Sequence, residues 1–483
     1  MPGCDLQQSF ANVVIRASAG TGKTFQLSNR FLALVHAGER PDHLIAATFA
    51  RKAAGEILER VLLRLAEAAT DPEQLRRLAG CIPADAGGGA VDRECCVTLL
   101  RRLVAHLHRL RIGTLDSLFV QMAGTFAFEL GLPPGWRIVD EVVDRRLRDA
   151  AVQDVLAGSS ASAVVTMMHL LNRGEARRSV SEQVRLVTDG LYTTFCEAAL
   201  EAWDCIPRST RLDAPQLRAA IARVAEFDGL PADKRFAAAR AADVAHAEAD
   251  DWSQFLSKGI AAKVHAGEPR YYGKDIPSPL VDAYEPLIEH ARSVLIGQLA
   301  DQTRATCALL EQFDRAYERL KHRERALRFE DVTRALARAV GDGRLGELAF
   351  RMDLNACQIL LDEFQDTSLP QWQVLRPLAE RAAREPGRSF FCVGDVKQAI
   401  YGWRGGVSEL FEALGRQLPG LETLPLDHSF RSSQPVIDVV NAVFGSLGEC
   451  HVLAKYPRVT NAWSERFRAH STARDDLAGY VRI

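Results

Sequence analysis

Long apolar runs are absent from this sequence, and none approaches the ~18 consecutive apolar residues that a membrane-spanning helix needs. The first ten residues include Asp5 and other polar side chains, so they lack the apolar core of a secretory signal. We therefore expect a protein that is neither exported nor embedded in a membrane, and we assign it to the cytoplasm.

Cysteine and net charge are also scarce. Ten cysteines among 483 residues are too few for a disulfide scaffold, and the adjacent Cys95 and Cys96 lack the C-x-x-C spacing of a metal or redox site. The 60 basic residues nearly cancel the 62 acidic ones, so no global positive field would draw the chain onto nucleic acid. Any nucleic-acid binding must therefore come from local patches, in a chain long enough for two or three ordinary domains.

Strand and helix signals alternate near the start of the chain. An apolar run at 13–15 is followed by a glycine-containing turn, a helical stretch to about Val35 and a second apolar run at 44–48. This order predicts a βαβ unit and hence a parallel sheet.

The middle of the chain has a different character. From about residue 140 to 350 the pattern is helical and rich in Ala, Arg, Glu and Leu, with few β-branched runs. Strand signals return at 359–361 and 389–393, each followed by a helical stretch. A sheet that starts before residue 120 and resumes after 355 indicates a discontinuous α/β core with a helical insertion.

A glycine-rich loop connects the first strand to the first helix, which is the setting of a phosphate-binding loop. Its glycines let backbone N–H groups converge on phosphate oxygens, and the helix amino terminus adds partial positive charge. Lys23 is the candidate ligand of the β and γ phosphates of ATP, and Thr24 is a candidate Mg²⁺ ligand. The alternative is a turn with a surface lysine. The predicted nucleotide-binding residues are Ala17, Ser18, Ala19, Gly20, Thr21, Gly22, Lys23 and Thr24.

Two acids, Asp362 and Glu363, follow the apolar run at 359–361, at the edge where ligands of parallel sheets gather. Because charge at the end of a buried strand is costly unless it serves an ion, Asp362 is the predicted second Mg²⁺ ligand. Glu363 is the predicted catalytic base that orients and deprotonates the attacking water. The alternative is that both acids simply end a strand in solvent.

Six segments resemble, in residues and in order, the motifs of superfamily 1 DNA helicases. The sequence looks like the UvrD/Rep class, and its first and third segments resemble the RecB and AddA branch of that class. The segments are 17–24 (ASAGTGKT), 48–54 (TFARKAA), 114–119 (TLDSLF), 362–367 (DEFQDT), 393–405 (VGDVKQAIYGWRG) and 429–432 (SFRS).

The resemblance implies a fold and a set of domain boundaries. It implies a RecA-like parallel-sheet P-loop core, discontinuous over residues 1–120 and 350–420, that binds ATP. A large, mostly helical insertion would occupy 121–349. Residues 421–483 would begin a second RecA-like core that is incomplete in this sequence.

The resemblance also assigns roles to individual residues. It implies that Gln398 senses the γ-phosphate, that Arg431 is a charge-stabilising finger and that Phe430 stacks on adenine. Phe49 and Trp403 are similar to aromatic residues that stack on single-stranded bases, with core packing as the alternative. Thr114 belongs to a segment that in the family lies beside the DNA.

The family's second core contains a later Gly-Leu-Glu segment and a further arginine, and nothing after Arg431 matches either. Since an arginine finger contributes ~10³–10⁵ in rate, we expect this chain alone to bind nucleotide weakly and hydrolyse it slowly. We predict a fragment of a longer ATP-dependent DNA helicase that moves 3′ to 5′ in repair and recombination. Its partners would be single-stranded and duplex DNA and a subunit of the RecBCD or AddAB kind.

Two alternatives remain open. The chain could be a non-hydrolysing DNA- or subunit-binding remnant that kept the first core. An unrelated P-loop kinase is disfavoured, because it would give Thr48, Gln398 and Phe430 no purpose.

Overall fold

A computed structural model describes residues 10–83, 87–158, 180–341, 357–400, 402 and 405–482. The chain divides into two compact units. One combines Met1–Ile138 with Leu327–Ile483 and is called the sheet unit below; the other, Val139–Ala326, is called the helical unit. Among the described helices, none is both long and apolar enough to cross a membrane.

The sheet unit is built on six parallel strands. They are β1 (Asn12–Ala17), β2 (Leu44–Thr48), β3 (Arg111–Thr114), β4 (Gln358–Leu361), β5 (Ser389–Gly394) and β6 (Leu421–Leu426). Their order across the sheet is β6-β1-β5-β4-β2-β3, and every neighbouring pair is parallel. The predicted α/β class with a parallel sheet is thereby confirmed.

The helices, in chain order, are α1 (Lys23–His36), α2 (Arg51–Thr70), α3 (Pro72–Ala79), α4 (Arg93–Ala105), α5 (Leu115–Thr125), α6 (Glu141–Gly158), α7 (Val180–Glu197), α8 (Ala214–Ala225), α9 (Lys234–Glu248), α10 (Trp252–Ser257), α11 (Gly259–His265), α12 (Ser278–Glu324), α13 (Phe329–Gly341), α14 (Leu369–Arg384), α15 (Glu409–Gln417), α16 (Gln434–Gly445) and α17 (Pro457–Arg466).

Helices cover both faces of the sheet, and the strand side chains alternate between two cores. Val13 and Ile15 pack with α1, α2 and α4 on one face. Val14 packs with α5, α13, α14 and α15 on the other. Because both faces are covered, β2, β4 and β5 are buried along their whole length and their sequences are almost continuously apolar.

Strand β6 lies at the edge of this sheet and pairs with β1 over its full length, from Asn12 opposite Leu421 to Ala17 opposite Leu426. The predicted boundary assigned residues 421–426 to a second core, whereas the structure has them in the first sheet. The strand carries Pro425 and is largely exposed, as an edge strand can be. A short parallel pair, His428–Ser429 with Ser471–Thr472, follows it.

The helical unit contains two apolar cores that share the long helix α12. Residues 280–291 of α12 pack in one core with α8 to α11, and residues 309–320 pack in the other with α6 and α7. A two-stranded hairpin, Arg270–Tyr271 and Lys274–Asp275, lies between α11 and α12. The predicted helical region was wider, at 121–349. Residues of α5 and of α13 instead pack against the sheet, because their apolar faces join its core.

A buried aspartate ties α11 to α9 within this unit. Asp243 Oδ2 accepts hydrogen bonds from the backbone N–H groups of Ile260 and Ala261, both at 3.0 Å, and from the Tyr284 hydroxyl at 2.9 Å. Gly259 precedes these donors at φ 79°, and a β-carbon there would overlap the Asp243 carboxylate. A glycine is therefore needed at 259 both for its backbone conformation and for space.

We predict that Gly259→Ala lowers the free energy of unfolding by about 3 kcal/mol, the sum of a left-handed alanine and an overpacked contact. Gly267→Ala is the matched control, because Gly267 has φ 70° but open space around its α-carbon. It should cost only about 1 kcal/mol. Urea denaturation followed by circular dichroism measures both, and equal losses would contradict the proposed contact.

Candidate active site

The phosphate loop lies between β1 and α1, as the sequence predicts. Gly20 and Gly22 both have left-handed backbones, at φ 76° and 87°, and Gly22 caps the amino terminus of α1. Thr21 closes the turn by donating its hydroxyl proton to the Ser18 carbonyl at 2.8 Å. This geometry can present backbone N–H groups and a helix amino terminus to a phosphate.

Lys23 joins this loop to the two other segments predicted to handle the nucleotide. Its Nζ lies 2.7 Å from Oε2 of Glu363 and donates a 2.9 Å hydrogen bond to Oε1 of Gln398. The Lys23 side chain is 10% exposed and that of Glu363 is 32% exposed. Since these residues are 340 and 375 positions apart, folding alone brings the predicted phosphate ligand, base and sensor to one point.

Asp362 is buried beside this group at the carboxyl end of β4. Burial, together with repulsion from Glu363, raises the pKa of Asp362 to about 6. Lys23 and a hydrogen bond from the Thr24 side chain act in the opposite direction. The structure therefore brings the two predicted Mg²⁺ ligands, Thr24 and Asp362, together, and both offer the oxygen atoms that this ion prefers.

Glu363 itself has a left-handed backbone at φ 52°, which is costly for a residue with a β-carbon. Its N–H donates to Oδ1 of Asp362 at 3.0 Å. The conformation turns the chain sharply after β4, so consecutive acids occupy different positions around Lys23.

Gln365 was missed by sequence reasoning. Its Nε2 donates to Oε2 of Glu363 at 2.8 Å, and its Oε1 accepts from the backbone N–H of Asp395 at 2.9 Å. A β-carbon at Gly394 would lie 2.8 Å from the same Oε1 atom, so the backbone approaches the amide closely. Gln365 thereby links the Glu363 carboxylate to the end of β5. Its position two residues after the acids was the available signal.

Asp366 is a third acid near Lys23. Burial and the charge of Glu363 raise the pKa of Asp366 to about 6, and Lys23 opposes this rise. Lys23 thus faces Asp362, Glu363 and Asp366, more negative charge than a single cation balances.

Phe430 and Arg431 approach the phosphate loop from the opposite side. The Phe430 N–H donates to the Gly20 carbonyl at 2.9 Å, and a β-carbon on Gly20 would lie 2.8 Å from Cβ of Arg431. The Phe430 ring is 59% exposed. The structure therefore brings both residues to the loop, with the aromatic ring accessible.

The residues predicted to bind DNA lie elsewhere. Phe49 follows β2, is half-buried and packs against the sheet core. Thr114 ends β3 and caps α5, accepting from the Ser117 N–H at 3.1 Å. Trp403 lies outside the described residues. Phe49 and Thr114 thus share the carboxyl edge of the sheet with the phosphate loop, but they follow β2 and β3 rather than β1.

A second polar cluster touches the phosphate loop and was not predicted. The Ser18 hydroxyl lies 2.6 Å from both Nζ of Lys397 and Nε2 of His470, and these two nitrogens are 3.2 Å apart. Burial lowers the pKa of His470, which favours the neutral ring that can accept the Ser18 proton. Because His470 is 452 positions from Ser18, no local pattern could indicate this contact.

Comparison with known proteins identifies relatives of the chain. The family model described as UvrD/REP helicase N-terminal domain matches residues 6–419. An ATP-dependent helicase/nuclease subunit from Moorella thermoacetica is 27% identical over 90% of this chain and 34% of its own length. The protein of the same name from Streptococcus pneumoniae serotype 2, and the exonuclease/helicase subunit RexA of serotype 4, are each 24% identical over 91% of this chain and 38% of theirs.

The chain therefore spans little more than a third of the length of these relatives. The match nevertheless runs through the phosphate loop, the acids after β4 and the segment that carries Gln398. It confirms the resemblance read from the six motifs, including the RecB and AddA branch. This chain is a member of the UvrD/REP helicase family, and residues 6–419 correspond to its N-terminal domain.

Proposed function

We propose that this chain is the ATP-binding part of a DNA helicase that couples ATP hydrolysis to movement along DNA in repair and recombination. The observation that carries the proposal is the meeting of Lys23, Glu363 and Gln398 beside a glycine-rich loop, with Nζ of Lys23 at 2.7 and 2.9 Å from the other two. A purely structural ion pair would not require the loop geometry or the adjoining acids.

Each residue has a chemical role in this proposal. Lys23 exchanges part of its contact with Glu363 for the β and γ phosphates of ATP. Released from that ion pair, Glu363 orients and deprotonates the attacking water, and Gln365 holds its carboxylate in place. Gln398 responds to the γ-phosphate, while Arg431 stabilises the charge that develops on it.

Thr24 and Asp362 are the residues that would hold Mg²⁺. The ion would neutralise phosphate charge and so make the γ-phosphate easier to attack. The raised pKa of Asp362 agrees with this assignment, because the buried carboxylate lacks a nearby cation that fully balances it.

DNA binding and polarity rest on the family and on the names of the relatives. The family placement suggests 3′ to 5′ movement, with Phe49 and Trp403 stacking on bases and Thr114 beside the strand. Because the relatives are named as subunits, we propose a partner subunit of the RecBCD or AddAB kind. In the same proposal the chain is a fragment, and a complete second core supplies the rest of the ATP cleft.

The second candidate is a DNA- or subunit-binding protein that does not hydrolyse ATP. It is favoured by the contacts of Ser18 with Lys397 and His470, which occupy the phosphate loop with protein groups.

The test compares ATP hydrolysis by this chain and by a version extended with a complete second core, each with and without single-stranded DNA. We expect DNA-stimulated hydrolysis by the extended protein, and a rate at least ~10³-fold lower for the chain alone. An extended protein that folds and binds DNA but does not hydrolyse ATP would favour the binding protein.

A further inference from the structure

We propose that Glu39, His43 and Cys357 form a zinc site at the end of the sheet opposite the phosphate loop. One ligand atom from each residue lies within 4.8 Å of the other two. A tetrahedral zinc ion, with bonds of ~2.0–2.3 Å, holds its ligand atoms roughly 3.3–3.7 Å apart. Small side-chain movements would therefore bring the three atoms to bonding distance.

The position of the three residues follows from the sheet. His43 ends the turn Pro41–His43 just before β2, and Cys357 immediately precedes β4. Since β2 and β4 are parallel neighbours with Leu44 opposite Gln358, these two residues lie side by side at the amino edge. Glu39 comes from the connection between α1 and β2.

The chemistry of the group selects a metal. A thiolate, an imidazole and a carboxylate suit zinc, whereas magnesium and calcium prefer oxygen ligands throughout. Three protein ligands leave a fourth position for water. With Cys357 ionised, its proton having passed to solvent, the two anionic ligands balance the charge of Zn²⁺.

Hydrogen bonds hold the ligands before any ion binds. The Cys357 N–H donates to the His43 carbonyl at 3.0 Å, and the Cys357 carbonyl accepts from Ser389 at 3.0 Å. Nε2 of Gln358 donates to Oε1 of Glu39 at 3.3 Å and to the Gly387 carbonyl at 3.0 Å. Such contacts orient metal ligands in known sites and strengthen metal binding.

The nearby charges act in both directions. Burial raises the pKa of Glu39 and of Cys357, and Arg388 lowers both values. Arg102 also lowers the pKa of Glu39. These arginines favour the ionised ligands but repel a cation, so the site depends on both anionic ligands being present. Bound zinc would clip the connection before β2 to the start of β4.

The experiment titrates the chelator-treated chain with Co²⁺ and records absorption, because a thiolate bound to cobalt gives a near-ultraviolet charge-transfer band. We expect the band in the unmodified chain, its displacement by Zn²⁺ and its absence from Cys357→Ser. Glu39→Gln should weaken cobalt affinity by ~10–100-fold, and Cys450→Ser, which alters an exposed cysteine, should change nothing.

Thermal unfolding gives a second readout that does not depend on ATP. Zinc should raise the midpoint of the unmodified chain and leave that of Glu39→Gln nearly unchanged. The proposal is overturned if the unmodified chain shows no band, if the band persists in Cys357→Ser or if zinc stabilises the chain and Glu39→Gln equally. Should Cys357→Ser fail to fold, the Glu39→Gln comparison decides alone.

Discussion

Glu363→Gln, introduced into a protein with a complete second core, should lower DNA-stimulated ATP hydrolysis at least ~10²-fold, the usual contribution of a positioned general base. Nucleotide affinity should be retained or should rise. Glutamine cannot accept a proton from water, and it also removes the 2.7 Å ion pair through which Glu363 holds Lys23 away from a phosphate. Steady-state hydrolysis and titration with a fluorescent ATP analogue measure the two effects separately.

Glu59→Gln is the matched control, since Glu59 is exposed on α2, away from the carboxyl edge of the sheet. It should leave both quantities unchanged. If Glu363→Gln lowered affinity and hydrolysis by the same factor, Glu363 would be a structural partner of Lys23 and the assignment of the base would be wrong.

The centre of the candidate site could be predicted because its signals are local. Glycines at 20 and 22, followed by Lys23, specify a loop geometry within a few residues. Asp362 ends an apolar strand whose burial could be read from its own sequence. Parallel strands then place both segments at one edge of the sheet.

The contacts around this centre could not be predicted, because they depend on distant residues. Nothing near Ser18 indicates that His470, 452 positions later, would contact its hydroxyl. The link from Gln365 to Asp395 depends on the packing of β4 beside β5. The left-handed backbone of Glu363 contradicts the preference of its residue type.

The proposed zinc ligands illustrate the same limit. Cys357 and His43 share no motif spacing, and only the alignment of β2 with β4 brings them together. The position of β6 is also a property of the assembled sheet: its polar edge sequence is compatible with either core, and pairing with β1 decides between them.

Lys23→Ala should abolish measurable hydrolysis and weaken nucleotide affinity by about 10–100-fold, the value of one or two charge-assisted hydrogen bonds. It should also destabilise the protein without nucleotide, because Lys23 is the cation that lowers the pKa of Asp362 and Asp366. Lys52→Ala, at a side chain that is 90% exposed, is the control and should change neither property.

The pH dependence separates this electrostatic effect from a loss of packing. Both aspartates have a pKa of about 6, above their ordinary value of 3.8, so their ionised forms destabilise the fold above pH 6. That destabilisation fades as the pH falls from 6 toward 4. The stability deficit of Lys23→Ala should therefore be largest near pH 7.5 and smaller at pH 5.5, as measured by urea denaturation without Mg²⁺. Lys23→Arg, which keeps the positive charge, should retain most of the stability while still impairing hydrolysis. A deficit independent of pH, or an equal one in Lys23→Arg, would show that Lys23 supports the fold through packing rather than by balancing these acids.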